Sequence, residues 1–195
     1  MELNAAQKEA VEYINGPCLV LAGAGSGKTR VIITKISYLL KNNLAHPSEI
    51  LAVTFTNKAA KEMRERLAKQ VSENAASQLT ISTFHALGRI ILKEQSSLLR
   101  LDADTFKIIK QIITNEYPML KNSASNEYID GICHKISMYK GELKTPKALA
   151  NDPTCDSIVQ GIYQKYNDYL RACNAVDFDD LIFIPTRLLL LKKEI

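Results

Sequence analysis

The pattern of hydrophobic positions changes near residue 98. Before that point, continuous apolar runs at residues 18–22 and 50–55 and a third short strand predicted at residues 79–82 alternate with stretches that have helical spacing of apolar residues. Apolar runs of this length are typical of strands buried on both faces of a parallel sheet. The alternation up to residue 95 therefore predicts right-handed βαβ units around a parallel sheet, which is an α/β fold.

Beyond residue 98 only helical periodicities remain, and they predict an all-helical part. Helices are expected around residues 106–113, 129–136 and 158–170, with a short one after Thr145 and Pro146 and a leucine-rich one capped by Asp177. Pro185 predicts a kink or a break in this last helix, because proline cannot donate the helical hydrogen bond. We therefore expect an α/β part at residues 1–95 and a helical part at residues 96–195.

Asn4 is predicted to cap the first helix of the chain. Gln7 stands three residues later, where its side chain closes a capping box. Ala10, Val11 and Ile14 are expected on the buried face of this helix, which ends before the Gly-Pro pair at residues 16–17.

Residues 22–29, Ala-Gly-Ala-Gly-Ser-Gly-Lys-Thr, form a glycine-rich turn between an apolar run and a helix. This is the context of a phosphate-binding loop, in which backbone N–H groups form a nest for an anion. Lys28 is expected to reach the β- and γ-phosphates of a nucleoside triphosphate, and Thr29 to bind Mg²⁺. Ala22 stands where such loops usually begin with glycine, which requires a negative φ there.

The composition is that of a globular protein, with 46% hydrophobic residues, 24% charged residues and a net charge of +4. The basic excess lies in the first hundred residues, which hold 13 Lys and Arg against 8 Asp and Glu, and it favours a polyanionic partner. The four cysteines form no C-x-x-C pair, which predicts buried thiols in a reducing compartment. No secretory signal or membrane-spanning run is visible, so a cytoplasmic protein is expected.

Four segments resemble those of a known family. In chain order they are Asn4-Ala-Ala-Gln7, Leu21-Ala-Gly-Ala-Gly-Ser-Gly-Lys-Thr-Arg30, Ala52-Val-Thr-Phe-Thr-Asn-Lys-Ala-Ala-Lys-Glu-Met63 and Ile81-Ser-Thr-Phe-His-Ala-Leu-Gly88. In order and wording they resemble the superfamily 1 DNA helicases, and within them the Rep/UvrD/PcrA group. Residues 143–146 and 172–181 are similar to the Rep branch of that group, so the resemblance covers nearly the whole chain.

The resemblance implies two sets of binding residues. It implies that Gln7 reads the adenine of ATP, that Lys28 and Thr29 are catalytic, and that Thr29 binds Mg²⁺. The implied nucleotide contacts are Gln7, Ala22, Gly23, Ala24, Gly25, Ser26, Gly27, Lys28, Thr29 and Arg30. The implied contacts to single-stranded DNA are Phe55, Thr56, Asn57, Thr83, Phe84 and His85, with the aromatic rings as stacking platforms.

Chemistry of the residues alone leaves alternatives open at several of these positions. Capping the first helix would account for Gln7. Burial in the core at strand ends would account for Phe55 and Phe84. A solvated helix face explains Lys58, Arg64 and Arg66 as well as phosphate contacts do.

The resemblance also implies a fold, namely a P-loop RecA-like parallel sheet with an all-helical inserted subdomain. The sheet is expected to be incomplete, because the family's second nucleotide motif, an apolar strand ending in Asp-Glu, is not found. Asp177, Asp179 and Asp180 follow no such strand and are interpreted as a charge cluster at a helix N-terminus. We interpret the chain as an N-terminal fragment that also lacks the arginine finger and the second RecA-like domain. Such a fragment is expected to hydrolyse ATP negligibly by itself.

The implied function is that of the ATP- and single-stranded-DNA-binding part of an ATP-dependent DNA helicase. The intact enzyme would couple hydrolysis to translocation and duplex unwinding in replication or repair, with single strands and DNA junctions as partners. A P-loop small-molecule kinase is one alternative, although the Phe-Thr-Asn and Thr-Phe-His motifs have no role there. A non-catalytic nucleotide- or DNA-binding module is another. Uncovered strands also make self-association an expectation.

Overall fold

A computed structural model describes residues 3–95, 100–101, 104–120 and 124–191. The chain divides into two compact units, Met1–Phe84 and His85–Ile195. The hydrophobic pattern changes somewhat later, near residue 98, and the expectation of domains at 1–95 and 96–195 stays a prediction.

The first unit alternates helices with two short parallel strands. Its helices are α1 (Ala5–Glu12), α2 (Lys28–Lys41), α3 (Asn57–Ala68) and α4 (Glu73–Gln78), and a 3-10 turn spans Pro47–Glu49. Strand β1 (Leu51–Thr54) pairs in parallel with β2 (Thr80–Thr83), in a register that sets Ala52 beside Ile81 and Thr54 beside Thr83. Helix α5 (Phe84–Gln95) begins directly after β2.

The core of the first unit lies between this sheet and helices α2 and α3. Ile33 and Leu67 are almost completely buried and belong to one apolar cluster with the strand residues Ala52 and Ile81. Helix α3 begins where predicted, because the Thr56 hydroxyl accepts a hydrogen bond from the N–H of Ala59 at 3.1 Å. The crossover from β1 through α3 to β2 is thus a βαβ unit, as the pattern predicted.

Two expectations for the first unit are wrong. Residues 18–22 adopt no regular secondary structure, and Leu19 and Leu21 are 85% and 87% exposed. An apolar run supplies strand propensity, but a strand exists only where a neighbour completes its ladder of hydrogen bonds. Strand β1 is not buried on both faces either, since Ala52 is buried while Leu51 is half exposed.

Helix α1 also ends earlier than expected. It stops at Glu12, so Ile14 lies outside it and is exposed, whereas Val11 is buried as predicted. The Lys35 ammonium on α2 donates to the backbone carbonyls of Ala10 and Tyr13 and so binds the C-terminal end of α1. This long-range contact accounts for where the helix ends.

The second unit is mostly helical. After α5 it contains β3 (Arg100–Leu101), α6 (Thr105–Glu116), α7 (Asn126–Gly141), α8 (Pro146–Leu149), α9 (Ser157–Ala172), β4 (Ala175–Val176) and α10 (Asp180–Leu191). The five helices predicted from periodicity beyond residue 98 are confirmed, as is the Thr145 cap, which accepts the N–H of Ala148. Ile109, Ile136 and Ile162, from α6, α7 and α9, are fully buried in one apolar cluster.

The structure corrects three predictions: the all-helical second unit, the break at Pro185 and the burial of the cysteines. The second unit is not all-helical, because β3 pairs in parallel with β4; strands of two residues are too short to show a periodicity. Helix α10 is continuous through Pro185, so the predicted break does not occur and the alternative, a kink, stays a prediction. The four cysteines are free, and none is buried. Burial and the Asp130 carboxylate raise the pKa of the half-buried Cys133 to about 11, so this thiol stays protonated at neutral pH.

A buried ion cluster joins α7 to the start of α10. The fully buried Lys140 ammonium lies 2.6 Å from Asp177 Oδ2 and 2.8 Å from Asp180 Oδ1. Each aspartate also accepts the backbone N–H of the other, at 2.8 Å and 3.2 Å. Burial and the charge of Asp177 raise the pKa of Asp180. Asp177 and Asp180 do lie at the start of α10, as the charge-cluster interpretation had it, but they are also buried and bind Lys140, which that interpretation did not include.

Helices α5 and α10 approach each other most closely at Gly88. A methyl group added to Gly88 would lie 1.7 Å from the Leu181 carbonyl oxygen and 3.4 Å from Pro185 Cγ. Pro185 is the residue that would normally donate a helical hydrogen bond to this carbonyl, and it has no N–H to give. Glycine is therefore required at position 88 by backbone contact rather than by its own backbone angles.

We expect Gly88→Ala to destabilise the second unit by about 1–3 kcal/mol, because α5 or α10 must move to admit the methyl group. The matched control is Gly131→Ala on α7, where an added methyl group would meet nothing within 4 Å. That change is expected to stabilise by about 0.5–1 kcal/mol, the usual gain for alanine over glycine inside a helix. Urea unfolding followed by circular dichroism measures both; equal effects of the two substitutions would contradict the close approach.

Candidate functional site

The glycine-rich loop has the backbone shape that its sequence predicted. Gly25 and Gly27 have φ angles of +73° and +86°, in the left-handed region that other residues rarely adopt. Ala22 is not among the residues with positive φ, so alanine is tolerated at the first position of the loop. The loop opens directly into α2, whose first helical hydrogen bond runs from Val31 N–H to the Gly27 carbonyl at 3.0 Å. The first N–H groups of α2 are thus available to an anion.

Lys28 is exposed and folds back over the loop. Its ammonium donates to the backbone carbonyls of Ala22 at 3.1 Å and Gly23 at 2.6 Å. The Ser26 hydroxyl donates to the same Gly23 carbonyl at 2.7 Å. The positive charge is therefore held at the loop by weak, exchangeable partners, which a phosphate oxygen can replace.

Gln7 is bound at both ends of its amide. Its carbonyl oxygen accepts the N–H of Asn4 at 3.1 Å and so closes the predicted capping box, while its Nε2 donates to the Ser26 carbonyl at 3.0 Å. The capping interpretation is confirmed, and the second contact was not predicted. Gln7 thereby fixes α1 against the phosphate-binding loop.

Thr29 and Arg30 begin α2 beside Lys28. Thr29 is exposed and its hydroxyl is a suitable oxygen ligand for Mg²⁺, which prefers hard oxygen donors. Arg30 is half-buried on the same first turn. Loop backbone, ammonium and hydroxyl together fit a nucleoside triphosphate with its magnesium ion.

A second candidate surface lies at the carboxyl ends of β1 and β2. Phe55 and Phe84 follow these strands, and their rings lie 5.5 Å apart between centroids with planes tilted by 53°. Phe55 is 88% exposed and Phe84 is 43% exposed. The alternative that these rings belong to the core is wrong, because a core phenylalanine is not accessible to water to this degree.

The polar neighbours of these rings have different environments. Thr56 and Asn57 are exposed, and the Thr56 hydroxyl is engaged as the cap of α3. Thr83 is buried in β2. His85 follows Phe84 in sequence and belongs to the second unit, where its ring stacks on Phe178.

The basic residues of α3 are partly engaged within the protein. Arg64 donates to the Ile81 carbonyl at 2.7 Å and supports β2, while Arg66 pairs with Glu62. Lys58 is exposed on the first turn of the helix. Of these three cations, Lys58 is the best placed to meet a phosphate beside Phe55.

Among the residues that the structure describes, no group of three or more His, Cys, Asp or Glu side chains is arranged to hold a metal ion. None of the helices in the described ranges is long and apolar enough to cross a membrane.

Sequence reasoning missed the contacts that fix the functional residues. The contacts of Gln7 with the Ser26 carbonyl and of His85 with Phe178 were not predicted, nor was the contact of Lys35 with the end of α1. No local signal exists for such contacts, because each joins positions that are far apart in the chain. The spacing from Lys28 to Lys35 is helical and does place both residues on α2.

The comparisons with known proteins agree with these motifs. A family model described as the UvrD/REP helicase N-terminal domain matches residues 3–195. The chain is 42% identical, over all of its length, to ATP-dependent DNA helicase Rep of Escherichia coli strain K12. It is 38% identical, over 95% of its length, to ATP-dependent DNA helicase PcrA of Staphylococcus aureus strain Mu50. The chain spans 30% and 26% of the lengths of these relatives.

The two contacts of Gln7 are separable by substitution. Gln7→Glu keeps an oxygen acceptor for Asn4 N–H but cannot donate to the Ser26 carbonyl, whereas Gln7→Ala loses both bonds. We expect both variants to loosen the loop and to speed tryptic cleavage after Lys28, while only Gln7→Ala lowers the free energy of unfolding, by about 0.5–1 kcal/mol. Timed proteolysis with mass spectrometry and urea unfolding measure the two effects. Native cleavage rates in Gln7→Glu would contradict the tether.

Proposed function

Since the chain belongs to the UvrD/REP helicase N-terminal domain family, we propose that it binds ATP and single-stranded DNA as the N-terminal part of an ATP-dependent DNA helicase. The observation that carries the proposal is the loop at residues 22–29. Its left-handed glycines, its lysine and its threonine open a helix, and Gln7 is bound to it.

The geometry of the loop supports the following nucleotide-binding residues. The loop backbone from Ala22 to Gly27 and the first N–H groups of α2 would cradle the phosphates, with Lys28 supplying the positive charge. Thr29 would ligate Mg²⁺, which neutralises charge on the transferred phosphoryl group when it is bound. Gln7 would read the adenine by exchanging its bond to the Ser26 carbonyl for a bond to the base, and Arg30 would add charge beside the loop.

The single strand would contact the exposed rings. Phe55 and Phe84 offer two faces on which a base stacks whatever its sequence, which suits a protein that moves along DNA. Asn57 and Lys58, at the start of α3, are proposed to bind the sugar-phosphate backbone. Thr56 and Thr83 would act mainly by fixing the chain next to the rings, and His85 would contact the strand from the second unit.

The wider architecture and activity are also proposals. We propose that the β1–α3–β2 unit belongs to a RecA-like parallel sheet, that residues 1–95 form its first part, and that residues 96–195 form a helical insertion. In the helicase, hydrolysis would drive translocation and unwinding in replication or repair, on single strands and DNA junctions. Residues 1–195 alone are expected to bind ATP without appreciable turnover. The cytoplasm remains the predicted compartment.

Two rival functions differ from this proposal in what they require. A small-molecule kinase needs an acceptor site beside Lys28 and has no use for exposed rings after β1 and β2. Phosphoryl transfer from ATP to a small acceptor would favour it. A non-catalytic sensor would bind ATP and DNA in the same way, and only DNA-stimulated turnover by a chain extended past Ile195 separates it from a helicase.

We expect Lys28→Ala to abolish the effect of Mg-ATP on thermal stability, because the phosphates lose their main cation. Lys41→Ala, an exposed lysine at the other end of α2, is the control and should keep the native shift. Thermal melting of the three proteins with and without Mg-ATP provides the measurement. A native-sized shift in Lys28→Ala would refute the nucleotide site.

Phe55→Ala is expected to weaken binding of a fluorescent oligothymidylate by about five- to 150-fold, which corresponds to about 1–3 kcal/mol for one stacked base. Leu19→Ala is the control, because Leu19 is equally exposed and apolar but flat stacking on it is impossible. Fluorescence anisotropy gives both dissociation constants. Equal losses in the two variants would mean that exposed apolar area, rather than stacking, binds the strand.

Self-association is proposed for the chain by itself. Residues 18–22 expose three consecutive apolar side chains without a strand partner among the described residues, and the apolar end of α10 is exposed at residues 189–191. A second copy covers such a surface by pairing at the strand edge or by exchanging residues 188–191. Light scattering is expected to show a mass that rises with concentration. A monomer mass at high micromolar concentration would exclude the association.

A further inference from the structure

The helix that carries His85 contacts one turn of the second unit at two points. The His85 ring stacks on the Phe178 ring, with centroids 4.1 Å apart and planes 21° apart. One helical turn further along α5, Gly88 admits the Leu181 carbonyl with room for no side chain. The turn at residues 178–181 therefore determines where the start of α5 lies within this unit.

The same turn is held from its other side by Lys140. The ammonium of this residue reaches from the end of α7 to Asp177 and Asp180, which stand on either side of Phe178 and Asp179. Lys140 is completely buried, so water does not solvate its charge. The two carboxylates compensate this charge instead.

Tyr166 on α9 completes the support. Its hydroxyl donates to Asp177 Oδ2 at 2.8 Å and lies 3.0 Å from the Thr105 hydroxyl, while its ring lies beneath the Lys140 ammonium, 5.2 Å from centroid to nitrogen. The turn is thus fixed to α7 and α9, which form the rigid core of the unit. Phe178, by contrast, is 57% exposed and has little apolar packing to hold its own ring in position.

A buried ion cluster is a weak source of net stability, because desolvation of the charges offsets most of their attraction. What such a cluster does impose is one geometry, since the carboxylates have low energy only where the ammonium meets them. The geometry imposed in this unit is that of the segment bearing Phe178. The ring that stacks on His85 is therefore oriented by the charge pair and not by a surrounding core.

We propose that Lys140 is a positioning residue for single-stranded DNA binding: by fixing Asp177 and Asp180 it orients Phe178, and through the stacked rings it orients His85. The inference rests on the proposed function of residues 83–85 as DNA contacts. Lys140 itself is buried and touches no ligand, so its effect passes entirely through the turn.

Lys140→Met removes the charge and keeps the length of the side chain, and it is compared with Lys135→Met, an exposed lysine on the same helix. The first readout is the proton NMR resonance of the His85 ring, one of three histidines in the chain. Stacking on Phe178 moves this resonance upfield, and Phe178→Leu supplies its unstacked position. The second readout is the dissociation constant for oligothymidylate. The dissociation constant for a fluorescent ATP analogue, whose proposed site lies in the first unit, serves as the reference.

Lys140→Met is expected to move the His85 resonance to the unstacked position and to raise the dissociation constant for oligothymidylate about five- to tenfold, without changing ATP affinity. Lys135→Met should change none of the three. In the Phe178→Leu background, Lys140→Met should cause no further loss of DNA affinity, because both substitutions act through the same ring. A native His85 resonance in folded Lys140→Met, or additive losses in the double variant, would overturn the proposal.

If Lys140→Met does not fold, Tyr166→Phe is used in its place, since this substitution removes only the hydroxyl that donates to Asp177. In Tyr166→Phe we expect a smaller shift of the His85 resonance and a smaller rise in the dissociation constant for oligothymidylate. Native values of both quantities would overturn the proposal. If the native chain does not bind oligothymidylate, the proposed function fails. The His85 resonance still decides, by itself, whether Lys140 positions this ring.

Discussion

The parallel register of β1 and β2 is the constraint on which the first unit depends. It sets Thr54 beside Thr83, so Phe55 and Phe84, which directly follow the two strands, lie at the same edge of the sheet. The two rings meet at this edge, where their centroids lie 5.5 Å apart. A slip of one residue in this register would no longer set the two strand ends, and the rings that follow them, side by side. The core formed by α2 and α3 fixes this register by burying Ala52 and Ile81.

The phosphate-binding loop depends on the same core in a different way. Its shape is local, since Gly25 and Gly27 adopt left-handed angles that their own lack of a side chain allows. Its position is not local. Helix α2 is buried through Ile33 and Ile36, and α1 is bound to it by Lys35 and to the loop by Gln7. A nucleotide bound at the loop would therefore act on α1 and α2 together, which gives a physical route from phosphate binding to the rest of the unit.

The features that could be predicted from the sequence are those with a local physical cause. Helix caps at Asn4, Thr56 and Thr145, the amphipathic helices and the glycine-rich turn each depend on residues within one or two turns of chain. Features that depend on partners far away could not be predicted. The apolar run at residues 18–22 has strand composition but no described strand beside it, and nothing in the residues around Lys140 indicates that it is buried between two aspartates. Motif order suggested the candidate site residues, which stay predictions, but it did not indicate the contacts that hold them.

The most direct test of the account is amide hydrogen exchange with and without Mg-ATP. We predict slower exchange at residues 22–30 and at the start of α1 when the nucleotide is present, because phosphate oxygens accept the loop N–H groups and the adenine binds Gln7 on α1. Helices α6, α7 and α9 should exchange at unchanged rates. Unchanged exchange in the loop at saturating Mg-ATP, or protection confined to the second unit, would contradict the claim that residues 22–30 form the nucleotide site.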